Sequence, residues 1–433
     1  MPKPMICLSE VLRNFLELFR PCFSRRQWKY FVIVLLGLME QEGRHTLKGL
    51  LASVWEKVPL SGLSRFLGLW PWSPAEVART WQADFRQEMA GAVQAEHRRQ
   101  RVERPQRRGR PKATVVTGYL ILDDSVHSKP KGRKMAGLGR HYSATEKKVV
   151  TGHCLFTSLY VLLGRRCPLA PRLYRQKAVC EREGVPFQSK VDLAVAEIEA
   201  FAPVPDTHTH ILIDRWYHCR RVRRAAQRRG WEVSGGLKSN RLIRIRTPQG
   251  SWQWVRLSGY AAGLKDEDWT EAIWPSQAGG HQVYAHAVRT WVRKLGPTLV
   301  LITRQSLSQP LDQARYWGST LLKVDAQTVI NILAVRWDME TLFEDYKDLL
   351  GSDHYQVMSA TAIVRFWTLV SCLAYFLDKQ RATLQAERPG EHVTWGDVRR
   401  AIQAEHQRNF LLWLEDQFRS GIAAGQLCTR LAA

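Results

Sequence analysis

Two short apolar runs, Tyr119-Leu-Ile-Leu122 and Ile211-Leu-Ile213, each close on an aspartate, and sequence of helical period lies between and beyond them. Runs this short and this uniformly apolar suit strands buried within a sheet, with helices packed against it. Asp123 and Asp214 then stand at strand ends, on backbone that the sheet holds in place. An acid at a strand end is also an ordinary turn residue, so neither decides anything alone.

Upstream of Thr114 the pattern is helical. Leu8, Val11, Leu12, Phe15 and Phe19 recur at helical spacing. Ser24 and Gln27 form a capping box, with Phe23 and Trp28 placed as a hydrophobic staple. Ser73-Pro74-Ala75-Glu76 repeats the signal, with proline at the first helical position. Helices on short turns ahead of a sheet suit a DNA-binding domain over 1–98, and equally a packing or dimerisation module. A basic linker, 99–113, follows. Within it Arg108-Gly109-Arg110-Pro111 matches the core of an AT-hook, which lies extended in a narrow A·T minor groove. Arg108 and Arg110 are candidate DNA contacts, and a solvated linker touching phosphates is the plainer reading.

From Thr114 the pattern changes. Val115–Leu122 reads as a strand ending in Asp123-Asp124-Ser125. Val149–Leu163 reads as two adjacent strands, broken at Gly152-His153 and Thr157-Ser158. Lys190–Phe201 has helical spacing, Tyr217–Arg229 is a very basic helix, and Trp231–Leu237 is a strand. The core therefore starts over 114–239, with a β-rich insertion over 240–310. It resumes over 311–380, helical from Asp325 through Leu350 and from Ala360 to Lys379. A C-terminal helical region, 381–433, is capped by Thr394 and Asp397. The fold class is α/β, a mixed sheet flanked by helices.

The charge balance points to a partner. Lys plus Arg number 64 against 40 for Asp plus Glu, a net charge of +24 that suits a polyanion, most simply nucleic acid. Arg220, Arg221, Arg223, Arg224, Arg228 and Arg229 cannot all share one helix face, so some are expected on DNA phosphates and others in solvent. The longest apolar stretch, Phe31 to Met39, falls short of the roughly 20 residues that span a bilayer. The first ten residues carry no signal-peptide apolar region. The eight cysteines include no C-x-x-C, which fits a reducing cytoplasm. A bacterial, nucleoid-associated location is expected, without membrane.

Carboxylate oxygens suit hard ions such as Mg²⁺ or Mn²⁺. On a helix over 333–350, Arg336, Glu340, Glu344 and Lys347 fall on one face. Arg336 can orient the Glu340 carboxylate or grip a phosphate, and Lys347 can reach another. A solvated face of i,i+4 ion pairs has the same spacing.

Arg336-Trp337-x-x-Glu340, followed by Phe343 and Lys347, resembles the Y-(2)-R-(3)-E-(6)-K motif of bacterial insertion-sequence transposases of the DDE class. Leu333 stands in the tyrosine position. Leu122-Asp123-Asp124-Ser125 resembles the first-acid motif of that group, D-x-S/T. Asp123 fits it, and Asp124 is the lesser candidate for the first acid. Ile213-Asp214-Arg-Trp-Tyr217 resembles the second, with Lys238-Ser239-Asn240-Arg241 downstream where the group carries K-S-N-R. Gly139-Arg140-His141-Tyr142 and Gly152-His-Cys154 are also similar to the group, and the resemblance covers roughly residues 25 to 380.

The resemblance implies a ribonuclease-H-like core, with Asp123, Asp214 and Glu340 as a catalytic triad binding two Mg²⁺ (Mn²⁺ substituting). Arg336, Lys347 and Lys238 would contact DNA. The enzyme would act as a homodimer on double-stranded DNA, cutting at transposon ends and joining them to a target. Trp291, between Arg289 and Arg293, is a candidate for stacking on an unpaired base, with Trp317 a second; a core tryptophan is the plainer reading of each. Two other readings compete: a transposase-derived DNA-binding protein without catalysis, and a basic RNA-binding protein. The intact acidic set favours the enzyme over both.

Overall fold

The computed structural model describes residues 7–56, 58–103, 114–276 and 279–432. Its first five helices are α1 (Glu10–Glu17), α2 (Arg25–Glu40), α3 (Leu47–Ala52), α4 (Leu60–Gly68) and α5 (Pro74–Val102). Side-chain caps set the starts of all but α4, whose N-cap is Pro59. Ser24 and Gln27 form the reciprocal capping box of α2, and the Ser73 hydroxyl accepts from the Glu76 N–H at the start of α5. Helix α5 runs on into the basic run assigned to a linker. Arg99 is braced there by Glu96 at 2.7 Å and Glu103 at 2.8 Å, so these charges decorate a helix surface. The AT-hook match, with Arg108 and Arg110, lies outside the described residues.

The sheet opens with β1 (Thr117–Ser128), β2 (Gly139–Ser143), β3 (Lys148–Leu162), β4 (Arg165–Pro168) and β5 (Arg172–Tyr174). Helices α6 (Lys177–Glu183) and α7 (Lys190–Ala200) lead to β6 (His208–Ile213), then α8 (Arg220–Arg228) and β7 (Glu232–Gly236). The order β2-β3-β1-β6-β7, with β3 antiparallel to β1 and β6 and β7 parallel to it, is the ribonuclease-H-like arrangement. Two expectations fail locally. Strand β1 does not end at Asp123 but continues to Ser128, because β3 pairs with it along its whole length. And β3 is one strand, not two: Gly152 is a site of close backbone approach, where a Cβ would sit 2.2 Å from the His127 carbonyl oxygen.

Beyond β7 come β8 (Leu242–Arg246), β9 (Trp252–Arg256), α9 (Leu257–Ala262), β10 (Thr270–Trp274), β11 (His281–Val292), β12 (Gly296–Arg304) and β13 (Arg315–Ser319). Strand β13 pairs antiparallel with β7 and with β12, so the β-rich segment continues the core sheet edge to edge as β7-β13-β12-β11-β8-β9. Then follow α10 (Ala326–Ala334), α11 (Trp337–Glu344), α12 (Ala360–Glu387), α13 (Trp395–Arg419) and α14 (Ala424–Ala432). The helix expected to run unbroken from Asp325 is interrupted before Trp337. After Glu344 its backbone widens into a π-helical turn, Asp345–Leu349.

Helix α12 organises the interior. It is buried without interruption from Arg365 to Asp378, and the N-terminal helices and the sheet share its core: Phe15, Phe31, Phe66, Leu120 and Ile213 belong to one apolar cluster with Trp367 and Phe376. Each such side chain contributes about 1.5–3 kcal/mol on transfer from water. By length and composition α12 could cross a membrane, but 83% of its most apolar window is buried inside the fold. Its one buried acid, Asp378, accepts from Arg165 at 3.0 Å and from Arg166 and Arg381 at 3.2 Å.

Candidate active site

The register of two parallel strands places the first two acids. Leu122 of β1 is the partner of Ile213 of β6, the last pair of that ladder. The next residues are Asp123 and Asp214, so the two carboxylates leave adjacent strands at one level. Asp214 begins a turn, its carbonyl accepting from the Tyr217 N–H at 3.0 Å.

Successive residues on a strand point to opposite faces, and this separates Asp123 from Asp124. Asp124 is held from several sides: Lys190 Nζ donates to it at 2.6 Å, the Tyr217 hydroxyl at 2.5 Å and the Cys154 thiol at 3.2 Å. Asp123 instead accepts the Asp124 backbone N–H at 2.8 Å and Nη1 of Arg336 at 3.0 Å. Burial pushes the Asp123 carboxyl up to about 8; Arg336 opposes this, while Asp124 and Asp214 add to it.

Glu340 lies on α11. Arg336, just before that helix, donates Nη2 to Glu340 Oε1 at 2.8 Å while Nη1 holds Asp123. One guanidinium thus joins the helix acid to the strand acid, as the i,i+4 spacing allows. All three acids line one cleft of about 1400 Å³, together with Arg336, Lys347 and Lys238. Glu344 lines it too, so the face read from the helical spacing does point one way.

The sequence reading missed Trp216. It lies in the turn after Asp214, is 71% exposed, and has Lys238 Nζ 4.4 Å from its ring centroid at the rim of the cleft. An aromatic two residues after a strand-closing acid, where no core position is due, was the available signal. His141, quoted only within a motif, also lines the cleft; burial, then Lys190, lowers it to about 4.

Other expected contacts lie elsewhere. Trp291 does not line the cleft; it is on β11, opposite Arg244 of β8. Trp317 packs tilted against Trp274, centroids 5.6 Å apart, and donates Nε1–H to Thr303 at 3.1 Å. Both line a second groove of about 1080 Å³ that shares Arg336 as a wall. Most arginines of α8 and its C-cap already have partners within the protein, although Arg221 and Arg228 make theirs at the surface. Arg223 is buried against His218 and Thr298, Arg229 holds the carbonyls of Glu199 and Phe201, and Arg221 and Arg228 pair with Asp192 and Glu199. Arg220 and Arg224 stay exposed.

The donor chemistry of Asp123, Asp214 and Glu340 is all carboxylate oxygen, which fits a hard divalent cation. A buried carboxyl pushed up to about 8 is also a place where added positive charge is favoured. Among the described residues no three such side chains are close enough to hold an ion as they stand, and the Arg336 guanidinium fills the gap between Asp123 and Glu340.

Two family models match. DDE superfamily endonuclease matches residues 18–253, and Transposase DDE domain matches residues 189–377. No curated protein matches the chain. The first match contains Asp123 and Asp214 and the second contains Asp214 and Glu340, and the chain belongs to the DDE superfamily of endonucleases and transposases, enzymes that bind DNA, cleave its phosphodiesters and use divalent metal.

Proposed function

We propose that this chain is a cut-and-paste DNA transposase of the insertion-sequence kind, related to the Y-R-E-K group, that binds transposon ends, cleaves the strands and transfers them to target DNA. Asp123, Asp214 and Glu340 are the catalytic acids. They hold two Mg²⁺ ions, with Mn²⁺ able to replace them. When bound, the ions activate the attacking oxygen and stabilise the leaving one at phosphorus. The observation that carries this reading is the Leu122–Ile213 register, which delivers Asp123 and Asp214 together beneath Glu340 and Arg336.

The protein's own groups supply the rest. Arg336 fixes the rotamers of Asp123 and Glu340 and presents a cation toward the cleft. Lys347 and Lys238 stand on the same walls, placed for phosphates of double-stranded DNA. The enzyme works as a homodimer on two ends, in the bacterial cytoplasm at the nucleoid.

The test is cleavage of DNA carrying candidate ends with Mg²⁺, beside Asp214→Ala and Glu340→Ala. Cleavage by the native chain that both variants lose while still binding DNA supports the reading. Binding without cleavage by any of the three would mean a DNA-binding protein without catalysis.

A further inference from the structure

The outer face of the sheet extension carries aromatic and basic residues in alternating rows. In register, Trp254 of β9 lies opposite Arg244 of β8, and Arg244 lies opposite Trp291 of β11. The next row along β9 and β8 pairs Trp252 with Arg246. Trp252, Trp254 and Trp291 are 58%, 45% and 50% exposed. The immediate sequence neighbours of Arg244, Trp254 and Trp291, namely Ile243, Val255 and Val292, turn the other way into an apolar cluster with Leu257 and Val300. Packing has thus taken the aliphatic side chains and left the indoles in water, the reverse of what burial would select.

We propose that this face is a binding platform for a single, unpaired DNA strand, with Trp254 and Trp291 as stacking surfaces. This rests on the DNA endonuclease reading and extends it to a surface outside the catalytic cleft. Two features favour a nucleic-acid strand. The rows hold arginine and no carboxylate, so the partner is anionic. And Trp254 and Trp291, two strands apart, stand about 10 Å from each other, room for a base on each indole, while the Arg244 guanidinium lies 4.9 Å from the Trp252 ring centroid and keeps its charge on this face. A duplex hides its base faces and would leave the indoles nothing to stack on.

A second observation ties the platform to the cleft. A basic pocket of about 320 Å³ is walled by Lys238, Asn240, Arg241, Leu242, Arg293 and Lys294. Lys238 and Asn240 also line the catalytic cleft; Leu242 begins β8, and Arg293, just past the end of β11, donates its N–H to the Leu242 carbonyl at 2.8 Å. Lys238, Arg241, Arg293 and Lys294 put positive charge between the cleft and the row of Trp291. The platform is thus placed to hold a strand that has come unpaired beside the cleft.

The test is fluorescence anisotropy in metal-free buffer with labelled oligothymidylate and, separately, a duplex of equal length. The full chain is compared with the W254A/W291A double variant and with W254F/W291F. The expected result is a loss of about tenfold or more in single-strand affinity for the alanine variant, with duplex affinity within about twofold and the phenylalanine variant near the parent. Equal loss on both DNAs would overturn stacking in favour of general phosphate contact. Unchanged single-strand affinity would overturn the platform and leave the face to a protein partner. If the parent bound neither DNA, the endonuclease reading would fall with it; duplex binding and cleavage without a tryptophan-dependent single-strand component would sink the platform alone.

Discussion

Arg336 donates to Asp123 Oδ2 at 3.0 Å while its other terminal nitrogen donates to Glu340 at 2.8 Å, so one side chain ties the sheet to α11. A lysine has the charge but not the planar fork, and cannot hold both carboxylates in fixed orientation. Arg336→Lys is therefore expected to lower the rate of end cleavage on the order of 10²-fold, by analogy with losing one preorganised electrostatic contact. Affinity for end DNA should change only a few-fold. A variant that cleaves at the parental rate would show that orientation by the fork does not matter.

Adjacent aspartates separate in their consequences. Asp124 neutralises Lys190 and receives Tyr217, so Asp124→Asn leaves a half-buried ammonium without its partner and should cost about 1–3 kcal/mol, discounted because Lys190 is partly exposed. Asp123→Asn weakens the contact from Arg336, but Arg336 keeps Glu340 at 2.8 Å, so no cation is left without a partner. It should abolish cleavage while shifting unfolding by no more than about 1 kcal/mol. Urea denaturation and a cleavage assay on both variants read this. The reverse pattern would make Asp124 the working acid.

The two aspartates that follow apolar runs were legible because short apolar runs have few other homes and because burial of a strand face fixes its register. The third acid was legible from i,i+4 spacing, and Arg336 proved to make the contact that spacing allowed. What escaped depends on pairings made far away in sequence. Nothing local to Asp123 says that β3 keeps pairing as far as Ser128, so the strand seemed to stop. Nothing local to Trp291 says that its cross-strand neighbour is Arg244 rather than a catalytic wall. The arginines from Arg220 to Arg229 were divided between DNA phosphates and solvent, because composition cannot reveal that Arg223 and Arg229 face the protein's own histidine, threonine and carbonyl groups.

Gly152 shows how such a misreading can be tested. As a strand break it would tolerate alanine. As a close approach it cannot, since a Cβ would meet the His127 carbonyl oxygen at 2.2 Å and backbone cannot swing aside. Gly152→Ala should destabilise the protein by about 1–3 kcal/mol, read as a lower denaturation midpoint at unchanged slope. A midpoint equal to that of the parent would restore the two-strand reading.

Acid should expose the buried histidines. His218 donates Nδ1–H to the Gly236 carbonyl at 3.0 Å and accepts at Nε2 from Arg223 at 3.1 and 2.9 Å, which fixes it neutral; burial, then Arg223, lowers its pKa to about 3. Burial lowers His210 to about 3 and His45 and His153 to about 4. In the unfolded chain each titrates near 6.5. Between those values the unfolded state binds protons that the native state refuses, so this stability is complete above about pH 6.5 and is lost as pH falls toward 3–4. Raised carboxyls such as Asp345, pushed by burial up to about 6, work in the opposite sense, so the comparison must be between variant and parent. His218→Asn should cost most above about pH 6.5, and its penalty relative to the parent should shrink steadily toward about pH 4.5 in urea denaturation. A penalty that is constant across that range would mean that His218 is protonated in the native protein or does not titrate differently on unfolding.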